Sequence, residues 1–173
     1  MRLNLYTVDS DYFDYLRKFE KRVPFVKETR PFLGIILQIN YRNYFAPLSS
    51  PKDKHIQMHE QRDLMKIDEG KLGVINLNNM IPIPMSRCIR IDLDNITDNK
   101  YKTLLKKQFI WCNKHSNEII KTAEKLYNSV CYADNPDSML KKRCCDFKLL
   151  ERKCIEFMKV NTLNEEEFVY QIS

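Results

Sequence analysis

Apolar residues follow two rhythms along this chain, one in each half. In the first half they come in short runs bounded by polar or proline-containing segments. Residues 3–8 predict a strand, ended by Asp9-Ser10-Asp11, where Asp9 or Ser10 is placed to cap a helix by accepting backbone N–H groups. Tyr12, Tyr15, Leu16 and Phe19 recur at three- and four-residue intervals and predict that helix. Residues 32–39 are almost continuously apolar and rich in β-branched side chains, which predicts a buried central strand. Gly34 inside it marks a bulge or a close backbone approach. Asn40-Tyr41-Arg42-Asn43 predicts a turn and residues 44–48 the returning strand of an antiparallel hairpin. Two more strands are predicted at residues 72–78 and 85–93. Pro82 and Pro84 lie too close together for a central ladder, so the piece between those strands belongs to an edge or an extended loop.

From Thr97 the spacing lengthens. Three sets follow helical intervals: Tyr101, Leu104, Leu105, Phe109 and Cys112; Ile119, Ala123, Leu126 and Val130; Phe147, Leu150, Cys154 and Phe157. Asn135-Pro136-Asp137 separates the last two, and Glu165-Glu166-Glu167 opens a short, loosely held tail. Strands followed by helices predict an α+β fold. There is no internal repeat, and residues 1–173 read as one domain.

Composition narrows the setting. A hydrophobic fraction of 43% supports a core, and a formal net charge of +6 favours a polyanionic partner or simply solvates the surface. None of the six cysteines forms a C-x-x-C pair, which disfavours zinc ribbons and redox motifs. The N-terminus has no apolar signal core, and no run approaches the roughly 18 apolar residues of a membrane span. Free thiols in a reducing cytoplasm, without a membrane, are expected.

Candidate chemistry concentrates in one loop. No dinucleotide, P-loop or H-E-x-x-H motif is present. His55 and His59 stand four apart but lack an evident third ligand, so neither a metal nor a cofactor is expected. Ser49-Ser50-Pro51-Lys52-Asp53-Lys54-His55 gathers two hydroxyls, two ammoniums and an imidazole directly after a predicted strand. It reads as a solvated turn stiffened by Pro51, or as a site where lysine stabilises a phosphorane and a hydroxyl relays a proton. Tyr12 reads as a core tyrosine. Arg30, at the end of a basic loop that includes Lys27, reads as a surface arginine or a phosphate clamp. Lys141-Lys142-Arg143, continued by Lys148, Arg152 and Lys153, is the wet face of a helix or a track for a nucleic-acid backbone.

The runs Arg30-Pro31-Phe32-Leu33-Gly34-Ile35-Ile36-Leu37 and Tyr44-Phe45-Ala46-Pro47-Leu48-Ser49-Ser50-Pro51-Lys52 closely resemble the ToxN/AbiQ toxins of type III toxin–antitoxin systems. The likeness is clearest over roughly the first 95 residues. It implies a twisted antiparallel sheet resembling MazF/Kid toxins, with packed helices mainly from the C-terminal half. It implies a sequence-specific, metal-independent endoribonuclease that attacks through the 2′-hydroxyl and leaves 2′,3′-cyclic phosphate ends. Its partners would be cellular or phage RNA and a small repeat RNA antitoxin that folds into pseudoknots, is processed by the toxin and inhibits it in cyclic complexes. Phage defence by abortive infection would follow. By position, the resemblance makes Ser50, Lys52, Ser49, Tyr12 and Arg30 the catalytic set. Arg30 stands where some relatives carry lysine, which keeps charge but not a titratable proton. Lys54, His55, Lys27, Lys141, Lys142 and Arg143 are the expected RNA contacts. Two competing readings remain: a non-catalytic RNA-binding protein, and a MazF-like ribonuclease neutralised by a protein.

Overall fold

The computed structural model describes residues 2–25, 30–133 and 138–172, with backbone only at 138 and 161–172. The first strand, β1 (Asn4–Val8), runs into Asp9, whose carboxylate accepts the Asp11 N–H at 3.0 Å and caps α1 (Ser10–Arg17). α1 buries Tyr12 and Leu16 of the predicted face together with Phe13, leaves Tyr15 half-buried, and stops short of Phe19, which is exposed.

The hairpin of β2 (Phe32–Ile39) and β3 (Arg42–Ser49) forms the middle of the sheet. Its two-residue turn, Asn40-Tyr41, takes positive φ at both positions (47° and 63°), the geometry that matches the twist of the flanking strands. The register shifts between Leu33 and Leu37, and a methyl on Gly34 would overlap the Phe45 ring, so this glycine marks both a bulge and a close approach. Beyond β3 lie β4 (Met65–Lys66), β5 (Val74–Ile75) and β6 (Ile81–Pro82); beyond β1 lies β7 (Cys88–Arg90). The antiparallel order is β4-β5-β3-β2-β1-β7, with β6 beside β3.

Two predicted strands are much shorter than their patterns. Residues 72–78 yield only β5, because Gly73 turns with φ at 100° and Leu77–Asn79 winds into a 3-10 turn. Residues 85–93 begin as a 3-10 turn at Met85–Arg87 before β7. β4 had no visible pattern. Pro82 keeps to the edge position expected of it.

A short α2 (Asp53–Gln57) follows the hairpin, and among the described residues of the second half run the helices α3 (Asn99–Lys114), α4 (Ser116–Cys131), α5 (Ser138–Arg143) and α6 (Phe147–Ile172). The break predicted at 135–137 lies outside the described residues. α5 and α6 separate at Cys144-Cys145-Asp146, so the basic run is split between two helices rather than lying on one. α6 carries helical backbone through Glu165–Glu167, where a loose tail was expected. α4 packs across β2 and α6 across β6, closing one core that joins both halves. At its centre the carboxylate oxygen Oε1 of Glu151 accepts the phenols of Tyr44 (2.8 Å) and Tyr127 (2.5 Å). Among the described residues no helix is long and apolar enough to cross a membrane.

Candidate functional site

β3 ends at Ser49, still paired with Val74 of β5, and the chain leaves through Ser50 and Pro51 to Lys52, whose backbone is extended, before turning into α2. This exit is held closely. A methyl on Gly73 would strike the Ser49 carbonyl, and one on Gly70 would strike that of His55; both glycines take positive φ. The loop is therefore seated on the turn between β4 and β5 and does not stand free in solvent.

Beside it lies an open groove of about 500 Å³, to which Arg30, Ser49, Ser50 and Lys52 contribute polar groups and Phe25 and Tyr101 contribute rings. Pro31 and Leu48 complete the lining. Ser50 and Lys52 are exposed, while Arg30 and Ser49 are half-buried. Burial lowers the Arg30 pKa, yet a guanidinium starts so high that it keeps its charge at neutral pH. Its Nη2 donates to Ser49 Oγ over a long 3.4 Å, and Asn76 Nδ2 donates to the same oxygen at 3.0 Å. Phe25 is 68% exposed, and the Arg17 guanidinium stands 5.1 Å from its ring centre. Two hydroxyls and two cations, with no carboxylate among the described lining residues, suit an anionic ester; the rings beside them suit stacked bases.

Arg30, Ser49, Ser50 and Lys52 thus come together, as expected. Tyr12 does not join them. It is fully buried, its hydroxyl donates to the Pro82 carbonyl at 2.7 Å, and its ring packs against Phe157. Burial raises its pKa well above the ordinary value, and the phenol has no open face for a phosphate. His55 is also corrected: it is 4% exposed, and burial, with Lys54 and Lys52 nearby, lowers its pKa, leaving a neutral imidazole where an RNA contact was expected. His59 lies exposed beyond the end of α2, so the two histidines share no helix face. Lys54 is exposed next to the groove loop, and Lys27 lies outside the described residues.

Lys141 and Lys142 are exposed on α5, beside a separate depression of about 470 Å³. Arg143 pairs at 2.6 Å with Asp63, a buried carboxylate that offsets its charge. Sequence reading overlooked Phe25, Tyr101 and Asn76. An exposed aromatic in a basic loop was a usable signal for Phe25. Tyr101 read as one member of a helical face, and Asn76 as a polar position inside a strand.

Residues 4–155 match the family model described as Toxin ToxN, type III toxin-antitoxin system. The chain belongs to the ToxN family. It is 34% identical to Endoribonuclease ToxN of Bacillus thuringiensis subsp. kurstaki, over 97% of this chain and 91% of the relative. It is 32% identical to Endoribonuclease ToxN of Pectobacterium atrosepticum, over 95% and 99%. It is 34% identical to Endoribonuclease AbiQ of Lactococcus lactis subsp. lactis, over 94% and 93%. Among solved structures it superposes with a TM-score of 0.80 on a protein from work on selective toxin inhibition by a non-coding RNA pseudoknot in bacterial type III systems, at 34% identity over 91% of this chain and 99% of the other. It superposes with a TM-score of 0.79 on AbiQ, a lactococcal anti-phage endoribonuclease of the type III class, at 31% identity over 92% and 99%. The groove of this ToxN-family chain is built on the strand that carried the sequence resemblance.

Proposed function

We propose that this chain is the endoribonuclease toxin of a type III toxin–antitoxin system, and that the groove between Arg30 and Lys52 is where an RNA phosphodiester is cut. The chain is an RNA-cleaving enzyme as its ToxN and AbiQ relatives are. The observation that carries the assignment of the site is the convergence of Ser49, Ser50, Lys52 and Arg30 on one open groove flanked by Phe25 and Tyr101.

The substrate supplies its own nucleophile. The 2′-oxygen bonds to the adjacent phosphorus while the bond to the 5′-oxygen breaks. Ser50 relays the 2′-hydroxyl proton to a non-bridging phosphate oxygen, from which it passes to the departing 5′-oxygen, so the protein ends as it began. Lys52 and Arg30 stabilise the charge that builds on the phosphorane, and Ser49 donates to one of its oxygens. Phe25 and Tyr101 stack on flanking bases and hold the 2′-oxygen in line. The products are a 2′,3′-cyclic phosphate and a 5′-hydroxyl, and no step calls on a metal ion.

The partner in this reading is a repeat RNA with pseudoknot units, which the toxin processes and which then fills the groove in a closed toxin–RNA assembly. Lys54, Lys141 and Lys142 contribute sequence-independent attraction, and the whole acts in phage defence in the cytoplasm. Kinship of the sheet with MazF/Kid toxins is part of the same proposal.

The test is an RNA cleavage assay in excess chelator, with chemical identification of the new ends. Cyclic-phosphate ends are expected, with Ser50→Ala and Lys52→Ala each slowing cleavage by about 100-fold or more. Intact RNA bound by the wild-type protein would turn the assignment to a binding module; full-rate cleavage by both variants would move the site elsewhere.

A further inference from the structure

Ser49 is held in a way that dictates the direction of its proton. A serine hydroxyl has two acceptor lone pairs and one O–H. Its Oγ receives Asn76 Nδ2 at 3.0 Å and Arg30 Nη2 at 3.4 Å, so both acceptor positions face donors. The O–H is the one group left for a third partner, and Ser49 lines the groove.

The Asn76 amide cannot be turned round without loss. The same Nδ2 donates to the Pro47 carbonyl at 2.9 Å, and the Asn76 backbone N–H donates to that carbonyl at 3.0 Å. A carbonyl only accepts, so a flipped amide would set oxygen against oxygen there. The neighbouring ladder pair Leu48–Ile75 fixes the end of β5, which Asn76 directly follows, against the strand that carries Ser49. The nitrogen, and not the oxygen, therefore meets Ser49.

We propose that Asn76 is a positioning residue for RNA cleavage: it holds Ser49 as a hydrogen-bond donor aimed at a phosphate oxygen in the groove. This rests on the cleavage site proposed above. Ser49 so held is a poor acceptor for the 2′-hydroxyl proton, because Asn76 and, at longer range, Arg30 stand at its lone pairs. The two adjacent serines thereby divide the work: Ser49 donates, and Ser50 handles the moving proton. Asn76 touches neither substrate nor reacting atoms; it acts through Ser49.

The experiment is a double-mutant cycle on single-turnover cleavage, using Asn76→Asp and Asn76→Ala, each alone and combined with Ser49→Ala. Binding is followed with an RNA whose cleavage-site 2′-hydroxyl is replaced by hydrogen. Asn76→Asp keeps the shape but presents an acceptor, which draws the Ser49 proton inward. It is expected to slow cleavage by about 100-fold, with affinity for the uncleavable RNA within about twofold of wild type. In the Ser49→Ala background the same change should cost no more than about twofold. Asn76→Ala should show the same dependence on Ser49 with a smaller loss, which covers the case in which the aspartate variant fails to fold.

Equal losses with and without the Ser49 hydroxyl would overturn the proposal, since a strand brace does not depend on that group. Full-rate cleavage by Ser49→Ala would overturn it too. Failure of the underlying reading looks different: wild type leaves RNA intact, or Ser50→Ala and Lys52→Ala cut at the wild-type rate.

Discussion

Glu151 accepts two phenols at one oxygen in the middle of the core, and Lys148 stands 3.6 Å from its other oxygen. Burial, followed by the carboxylate itself, drives the Tyr44 and Tyr127 pKa values far above the usual tyrosine range, so both hydroxyls remain donors at every ordinary pH. Removing the acceptor strands two buried O–H groups. Glu151→Ala is therefore expected to lower unfolding free energy by about 2–4 kcal/mol, and Glu151→Gln by less, in denaturant titrations. Single residues of this kind were poorly legible in the sequence. Of the groove's lining, Ser49, Ser50 and Lys52 could be read because they fall within one short loop, and Arg30 because the resemblance reaches it. Asn76 meets its partner 27 positions away, and its neighbours read as plain strand, so nothing local announces the contact. Tyr12 misled for a related reason: the resemblance carried a role onto a phenol that three-dimensional packing had already committed to Pro82.

Between elements, small groups decide the fit. Glu20, just after α1, accepts from the Arg22 side chain at 2.9 and 2.7 Å and from the Asp146 N–H at 3.0 Å, joining the first helix to the start of α6. Burial opposes its charge, but the hydrogen bonds from Arg22 and from Asp146 outweigh that cost, and its pKa lies below the ordinary value. A depressed carboxylate contributes stability above its unfolded pKa and loses it as pH falls through the folded one. Thermal midpoints should drop as pH is lowered through about 4.5 and below, and Glu20→Gln should flatten that part of the curve. Gly73 joins β5 to the groove. Its φ of 100° and its contact with the Ser49 carbonyl leave no place for a methyl. Gly73→Ala should cost about 1–3 kcal/mol from the backbone alone and slow cleavage through Ser49, measured by melting and by single-turnover rates. Element types were readable wherever a pattern ran long, as in β2, α3 and α4. The strands either side of Pro82 and Pro84 were overcalled, since β5 and β7 are trimmed by turns whose glycine and 3-10 geometry apolar periodicity does not encode.

At the scale of the molecule, strand-rich and helix-rich halves share one core, and the alternation of rhythms along the chain was enough to foresee the α+β class. It was not enough to foresee which basic residues stay free. Lys141 and Lys142 are exposed, whereas Arg143 is paired with Asp63. RNA affinity should fall steeply with salt. Lys141→Ala/Lys142→Ala should reduce the slope of log affinity against log salt by about 1–2, while Arg143→Ala changes it less and instead destabilises the protein by leaving the buried Asp63 carboxylate without its cation. Filter binding across a salt series measures the first effect and thermal melting the second.

β3 is hydrogen-bonded along both edges, to β2 as far as Pro47 on one side and to β6 and then β5 as far as Ser49 on the other. On the cleavage site proposed above, the cutting edge is mounted on this strand and is held rigid by it. Restraint would then arrive from outside, as occupancy of the groove, with a strength set by how much cover is present and how tightly it sits. Supply of that cover would be the clock: once its synthesis stopped, activity would return as fast as the cover left.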